Sequence, residues 1–274
     1  MTYTAGLDVG STYTKAIILD DHDQIAGKAM VSTGFKLDQA AQSVLEQALD
    51  DASLSRDEVS YVVSTGYGRY QVSFRDVNVT DLTAAARGSR FFYPGTRTVL
   101  DIGGQTMKAM RLDDQARVTS FRLNDKCAAG TGAFLEKTAR YMGFDTEEIG
   151  NLVRTSKDSV PISGVCAVFA ESEVINHLSH GSAPADIMYG AMVSLVDRSA
   201  QLMKRVRMEP EVTLAGGILR FPTMAGVIRE KLDMAVNMPS DDLVQFLGAV
   251  GAAVLGHLRI KKLAQEAAEL EPSA

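Results

Sequence analysis

Two cysteines, Cys127 and Cys166, stand in positions that favour thiolates. Cys127 precedes the small, flexible run Ala-Ala-Gly-Thr-Gly and then an amphipathic pattern that predicts a helix, while Cys166 directly precedes a second predicted helix. Free N–H groups and the positive end of the helix dipole stabilise a thiolate at a helix N-terminus. We therefore expect both cysteines to be ligands of a metal or a cluster.

Other roles for the two cysteines stay open on the sequence alone. A free cysteine is most often a small buried core residue. A disulfide between Cys127 and Cys166 is conceivable, although nothing else in the sequence suggests an oxidising compartment. A redox Cys-x-x-Cys motif is absent. Because a metal ion or cluster needs about four protein ligands and one chain supplies two, two chains would have to share it.

Two aspartates at predicted strand ends are each followed by a glycine-rich turn. Asp8 leads into Gly-Ser-Thr and Asp101 into Gly-Gly-Gln, and such turns let backbone N–H groups approach phosphate oxygens. Two carboxylates that converge on phosphates would hold Mg²⁺, directly or through water. The predicted phosphate-binding residues are Gly10, Ser11, Thr12, Lys15, Gly103 and Gly104, and Lys108, seven residues after Asp101 as Lys15 is after Asp8, could also neutralise phosphate charge.

Three further residues complete the expected nucleotide site. Gln105 is a candidate for orienting the attacking water, as glutamines do in some nucleotide hydrolases, or else a hydrogen-bonding residue of its loop. Gly216 and Gly217 follow an apolar strand and would let the sugar or base of a nucleotide lie against the backbone. The sequence contains no Gly-x-x-x-x-Gly-Lys-Ser/Thr motif, which excludes a P-loop enzyme.

The elements that position these residues occur twice. The order strand, Asp-x-Gly turn, strand, polar turn, strand spans residues 4–32 and returns over residues 96–123, roughly 93 residues later. This pattern predicts an α/β protein built by internal duplication. It does not fit a Rossmann unit, which enters a helix after its first glycine loop. Helices are predicted at residues 36–53, 80–89, 185–208, 222–232 and 242–263.

Composition and charge exclude several classes of protein. The 274 residues are 46% hydrophobic and 23% charged, as in soluble globular proteins. A net charge of −6 argues against a nucleic-acid partner. We expect no membrane span, because no apolar stretch reaches the roughly 18–20 residues required. The N-terminus runs straight into a strand, so we expect no signal peptide and a cytoplasmic protein.

The motifs resemble those of a known superfamily. Residues 7–12, 100–105 and 214–217 resemble the phosphate 1, phosphate 2 and adenosine motifs of the actin, hexokinase and heat-shock-chaperone ATPases. The segments at 124–132 and 166–174 narrow the resemblance to the ATPase activators of 2-hydroxyacyl-CoA dehydratases and the ATPase subunits of benzoyl-CoA reductases. The run Thr-Gly-Tyr-Gly-Arg at 65–69 fits as well, and the match extends from about Thr4 to Leu258.

The resemblance implies a fold and a set of cofactors. Two actin-like (ribonuclease H-like) subdomains, residues 1–95 and 96–264, would hold ATP or ADP with Mg²⁺ in the cleft between them. The last helix would pack back on the first subdomain, and 265–274 would be a flexible tail. One 4Fe–4S cluster would lie between two subunits, held by Cys127 and Cys166 of each. Asp8, Asp101 and Gln105 would be catalytic. The segment at 124–132 would add the nucleotide-binding residues Gly130, Thr131 and Gly132.

The resemblance also implies partners. The chain would pair with a second copy or a related ATPase subunit, take electrons from ferredoxin or flavodoxin, and pass them to a CoA-thioester reductase or dehydratase. The charge and the lack of a long apolar stretch predict no nucleic-acid and no membrane partner. The branch of the family and the choice between homodimer and heterodimer stay open. The alternative is a sugar or small-molecule kinase of the same superfamily, which would have no use for paired cysteines. A structural, filament-forming actin relative is the non-enzyme alternative.

Overall fold

The computed structural model describes residues 2–124, 130–163 and 167–270, and these form two compact units. The first unit contains residues 2–94 and 246–270, and the second contains residues 95–245. Each unit holds one five-stranded sheet. The C-terminal residues therefore belong to the same unit as the N-terminal ones.

The sheet of the first unit has the order β3-β2-β1-β4-β5. Its first three strands form an antiparallel meander, and β4 and β5 run parallel to β1. The strands are β1 (Tyr3–Val9), β2 (Tyr13–Leu19), β3 (Ile25–Ser32), β4 (Val59–Thr65) and β5 (Val77–Asn78).

Helices cover both faces of this first sheet. They are α1 (Leu37–Ala52), α2 (Asp81–Phe92) and α8 (Leu247–Leu270), and a short 3₁₀ turn spans Arg56–Glu58. In β2, Ala16 and Ile18 pack in the core cluster that includes α1, whereas Ile17 and Leu19 pack with α8. Because both faces of β2 are buried, it reads as a continuous apolar run rather than an alternating one.

The sheet of the second unit repeats the order of the first. Read from its β8 edge, it runs β8-β7-β6-β9-β10, again with an antiparallel meander followed by two parallel strands. The strands are β6 (Thr98–Ile102), β7 (Met107–Leu112), β8 (Val118–Asn124), β9 (Val212–Ala215) and β10 (Val236–Asn237). The predicted α/β class with two subdomains from an internal duplication is confirmed.

Five helices of the second unit share one large core with its sheet. Phe134 and Leu135 of the first helix, and Met188, Met192 and Leu195 of the longest one, lie in this core. The helices are α3 (Gly132–Tyr141), α4 (Ile149–Arg154), α5 (Ala167–Ser179), α6 (Pro184–Arg205) and α7 (Pro222–Leu232). Short 3₁₀ helices lie at Thr146–Glu148, Gly217–Arg220 and Asp241–Gln245.

The C-terminal region departs from the sequence prediction in two ways. The segment predicted as one helix over 242–263 is a 3₁₀ helix, Asp241–Gln245, followed by α8 from Leu247. In addition, α8 continues to Leu270, so residues 265–270 of the predicted flexible tail are helical. Their alanine- and glutamate-rich composition has high helix propensity, which extends a helix already anchored by packing.

Candidate functional site

Asp8 and Lys15 face each other across two neighbouring strands of the first unit. The antiparallel register of β1 and β2 pairs these residues directly, so their side chains lie on the same face of the sheet. Lys15 Nζ lies 3.6 Å from Asp8 Oδ2, and both side chains are largely buried. The lysine therefore balances the aspartate charge where solvent screens it only in part.

The turn between these strands leaves backbone donors available. Gly10 N–H closes the turn by donating to the Tyr13 carbonyl at 3.2 Å. In the part of the chain that the structure describes, the N–H groups of Ser11 and Thr12 have no backbone partner. These two amides, rather than that of Gly10, are the ones the turn offers to an anion.

The second unit repeats this arrangement. Asp101 pairs with Lys108 in the register of β6 and β7, and Lys108 Nζ lies 3.5 Å from Asp101 Oδ2. Gly103 N–H closes the turn by donating to the Thr106 carbonyl at 2.8 Å. The exposed Gln105 stands at the tip of this turn. The duplication thus preserves the acid–lysine pair and the turn geometry, not only the order of strands.

Asp8 is enclosed by two glycines that sequence reasoning did not assign to the site. A β-carbon at Gly66, which has φ +86°, would lie 2.5 Å from Asp8 Oδ1. One at Gly248, in the first turn of α8, would lie 3.0 Å from Asp8 Oδ2. The carboxylate therefore lies beside the positive end of a 24-residue helix. In the sequence, the only indication of this contact was the glycine-rich run after β4.

Gly216 brings the third glycine loop against the predicted second phosphate turn, residues 103–105. Ala215 pairs with Asp101 in the parallel register of β9 and β6. Gly216 adopts φ +110°, and a β-carbon there would overlap the Ile102 carbonyl oxygen. Gly216 N–H also donates to the Val244 carbonyl at 2.9 Å. The structure therefore places the predicted adenosine loop directly beside the strand that carries Asp101.

The start of α3 is bonded to the second phosphate turn. Gly132 N–H donates to the Gly103 carbonyl at 3.0 Å, and Ala133 N–H donates to the Gly104 carbonyl at 2.8 Å. This corrects the expectation that the N–H groups at the start of this helix are free to stabilise the Cys127 thiolate. Those donors satisfy the turn's carbonyls instead, because α3 begins beside the turn and five residues after Cys127.

Both cysteines lie outside the described residues, but the residues that flank them are placed. Gly130 lies against the Asn124 side chain, so the two ends of the segment around Cys127 lie close together. Both Gly130 and Thr131 are buried. Before Cys166, Ser163 N–H donates to the Glu173 carboxylate of α5. The flanks of both cysteine segments are therefore held by specific contacts.

Burial perturbs the pKa of one acid in α3. Glu136 of α3 is about half-buried, and desolvation raises its pKa, while Arg140 and Arg220 act in the opposite direction. Arg220 ends the 3₁₀ helix that starts at Gly217. It lies 3.5 Å from Glu147 and over the ring of Phe221. No sequence motif predicted this group of charged side chains around Glu136 and Arg220.

In the described ranges 2–124, 130–163 and 167–270, no group of three or more His, Cys, Asp or Glu side chains is arranged to hold a metal ion. Within the same ranges, no helix has the length and apolarity needed to span a bilayer.

Comparison with known proteins identifies similar chains of nearly equal length. The model of the BadF/BadG/BcrA/BcrD ATPase family matches residues 5–256. The 2-hydroxyisocaproyl-CoA dehydratase activator of Clostridioides difficile is 38% identical over 264 residues, which cover 96% of this chain and 98% of the activator. A component of the benzoyl-CoA reductase of Thauera aromatica is 33% identical over 276 residues, which cover 97% of this chain and 96% of that component.

A solved structure agrees with these sequence matches. The Clostridium difficile activator of 2-hydroxyisocaproyl-CoA dehydratase, determined with bound ADPNP, superposes with a TM-score of 0.90 at 37% identity and covers 96% of this chain and 97% of its own. The resemblance inferred from the motifs and the actin-like fold class are confirmed.

Proposed function

The chain belongs to the BadF/BadG/BcrA/BcrD ATPase family, and from this premise we propose that it is an ATP-hydrolysing iron–sulfur electron activator. It passes single electrons of low potential to a partner that dehydrates or reduces a CoA thioester. The relatives named as a dehydratase activator and as a component of benzoyl-CoA reductase support this role.

The observation that carries the proposal is the repeated acid–lysine pair beside a glycine turn. Asp8 with Lys15 and Asp101 with Lys108 have nearly equal separations, 3.6 and 3.5 Å. Two equivalent sites of this kind suit a ligand with several phosphates and a divalent cation. The bound ADPNP in the similar solved structure supports a nucleotide as that ligand.

The described residues fit a nucleotide. In the first unit, the amides of Ser11 and Thr12 would donate to phosphate oxygens, and Lys15 would neutralise phosphate charge. In the second unit, Gly103 and Gly104 would lie along the phosphates, and Gly216 with Gly217 would lie along the adenosine. The positive φ of Gly216 supports this assignment, because a glycine with φ +110° lets a ligand or backbone approach closely.

The two acids, Gln105 and the start of α3 have different proposed tasks. Asp8 and Asp101 would hold Mg²⁺, directly or through water. Gln105 would orient the attacking water, since it is exposed at the tip of the second turn. Gly130, Thr131 and Gly132 would support the phosphates through the start of α3, which is already bonded to Gly103 and Gly104.

Cys127 and Cys166 would hold the cluster. A 4Fe–4S cluster supplies single electrons at low potential, and its four cysteine ligands would come from two chains, either identical or related. Ferredoxin or flavodoxin would reduce it. The cluster and the dimer are proposed from the cysteine motifs and the family resemblance.

Substitution at the two acids tests the nucleotide assignment. Asp8→Ala and Asp101→Ala should each abolish Mg²⁺-dependent ATP hydrolysis and leave the iron content of anaerobically purified protein unchanged. ATPase activity within about a few-fold of wild type in both variants would rule out the assignment. Iron-free protein that phosphorylates a sugar would instead identify a kinase.

A further inference from the structure

Small side chains anchor helix α5 to the second unit. Among its described side chains, only those of Ala170 and Val174 are fully buried. Both lie in the core cluster that contains Phe134 of α3, whereas Phe169 and Ile175 are 63% and 50% exposed. Leu178, near the end of α5, packs against the same cluster and is only partly buried. Because alanine and valine bury little apolar area, these contacts constrain the orientation of the first half of α5 weakly.

Glu171 joins α5 to α3 through both of its carboxylate oxygens. Its Oε1 accepts a hydrogen bond from Lys137 Nζ at 3.0 Å, and its Oε2 accepts one from Tyr141 Oη at 3.2 Å. Lys137 and Tyr141 lie one helical turn apart on α3, so they face one carboxylate together. The hydrogen bond that Lys137 donates to Glu171 raises the pKa of Lys137. Glu171 is 19% exposed and therefore only partly screened by solvent.

The other end of α3 is attached to the second phosphate turn. The bonds from Gly132 and Ala133 N–H to the carbonyls of Gly103 and Gly104 join the turn to the first residues of the helix. α3 has only ten residues, so a displacement of the turn reaches Lys137 and Tyr141 through a short, rigid element. The contacts thus form a continuous path from the turn to α5.

We propose that Glu171 is a positioning residue that transmits the nucleotide state of the second phosphate turn to α5, the helix that follows Cys166. In this role Glu171 acts through its contacts with Lys137 and Tyr141, which make α5 follow α3. This inference rests on the proposed function, because it requires a nucleotide at Gly103 and Gly104. Without the carboxylate, α3 would still respond to the nucleotide, and α5 would not.

Hydrogen–deuterium exchange of the full-length, cluster-containing protein tests whether α5 loses its response to the nucleotide while α3 keeps it. Exchange is compared with ADP and with ADPNP in peptides that cover 132–141 and 167–179. In wild type both peptides should change, by roughly fivefold or more for a coupling of ordinary size. In Glu171→Gln the response of 132–141 should persist. The exchange rates of 167–179 with ADP and with ADPNP should then differ by less than about twofold. An undiminished response of 167–179 in this variant would overturn the inference.

Two further variants keep the result unambiguous. Tyr141→Phe removes one hydroxyl and leaves the ion pair with Lys137, so it should weaken the response of 167–179 without unfolding α5. If Glu171→Gln unfolds α5, the result from Tyr141→Phe decides the question. An unchanged response of 167–179 in Tyr141→Phe then refutes the inference. Glu209→Gln removes an exposed ion pair with Arg111 in the same unit and should leave both responses intact.

The experiment separates the two levels of the proposal. Equal exchange of 132–141 in wild type with ADP, with ADPNP and without nucleotide would contradict the nucleotide site itself, whereas a change on nucleotide addition that is the same for ADP and ADPNP would reject only the transmission to α5. A response of both peptides in wild type and in Glu171→Gln would leave the nucleotide site standing and reject only the role of Glu171. The rate at which a chelator removes iron provides a second measurement, since its ADP-to-ADPNP difference should shrink in Glu171→Gln and stay unchanged in Glu209→Gln.

Discussion

Replacing Gly216 with alanine should destabilise the protein and abolish nucleotide binding together. Gly216 has φ +110° and ψ 154°, a region that is nearly exclusive to glycine and costs another residue about 1–3 kcal/mol. The new β-carbon would also overlap the Ile102 carbonyl oxygen, which belongs to the backbone of a buried strand and cannot rotate away. Overpacking of this kind costs about 1–3 kcal/mol more.

The two costs together give a destabilisation of roughly 3 kcal/mol. For a protein of this size, each kcal/mol shifts the melting temperature by about 2–4 °C, so Gly216→Ala should melt roughly 6–12 °C below wild type. Relief of the overlap would push the glycine loop away from Ile102, the residue after Asp101. ADP at about 100 times its Kd should stabilise wild type by about 2.7 kcal/mol and the variant far less.

Thermal melting with and without ADP measures both effects. Gly226→Ala is the matched control, because Gly226 lies inside α7 and a β-carbon there meets no atom within 4 Å. That variant should be about 0.5–1 kcal/mol more stable than wild type, since alanine is the better helix former. If Gly216→Ala melted within about 1 °C of wild type and kept its response to ADP, the argument from backbone strain and overlap would be wrong.

Three other outcomes are expected. Burial raises the pKa of Glu136 above its ordinary value of 4.5, so the stability that Glu136 contributes is present below pH 4.5 and is lost as the pH rises through the raised pKa. In urea unfolding, Glu136→Gln should therefore have a higher midpoint than wild type at pH 7 but not at pH 4. Equal midpoints at pH 7 would contradict this. Cys127→Ala and Cys166→Ala should each remove the brown colour and weaken dimerisation, measured by iron analysis and sedimentation, and a fully loaded cluster in a monomeric Cys166→Ala protein would count against a shared cluster. ATP, or ADP with aluminium fluoride, should make the reduced cluster more accessible to iron chelators than ADP does; equal chelation rates, with partner reduction at the same rate in ATP-free buffer, would indicate a plain electron carrier.

The two turns that follow Asp8 and Asp101 were predictable because their geometry is local. Asp8 with Gly10, and Asp101 with Gly103, stand two residues apart at the ends of apolar strands. Hairpin register then places Lys15 and Lys108 opposite the acids. The duplication was visible for the same reason, since both copies keep the strand–turn–strand pattern that the meander requires. Two-residue strands such as β5 and β10 escaped prediction because two residues show no periodicity.

By itself, the sequence determined the α/β class, the duplicated order of strands, and the two acids with their glycine turns, because strand period and turn chemistry depend on residues close together along the chain. The tertiary structure alone decided which distant residues complete the site. Gly248 lies more than two hundred residues from Asp8 along the chain yet meets its carboxylate. Glu171 joins α5 to Lys137 and Tyr141. Such contacts arise when helices pack on a sheet, and no local pattern encodes them.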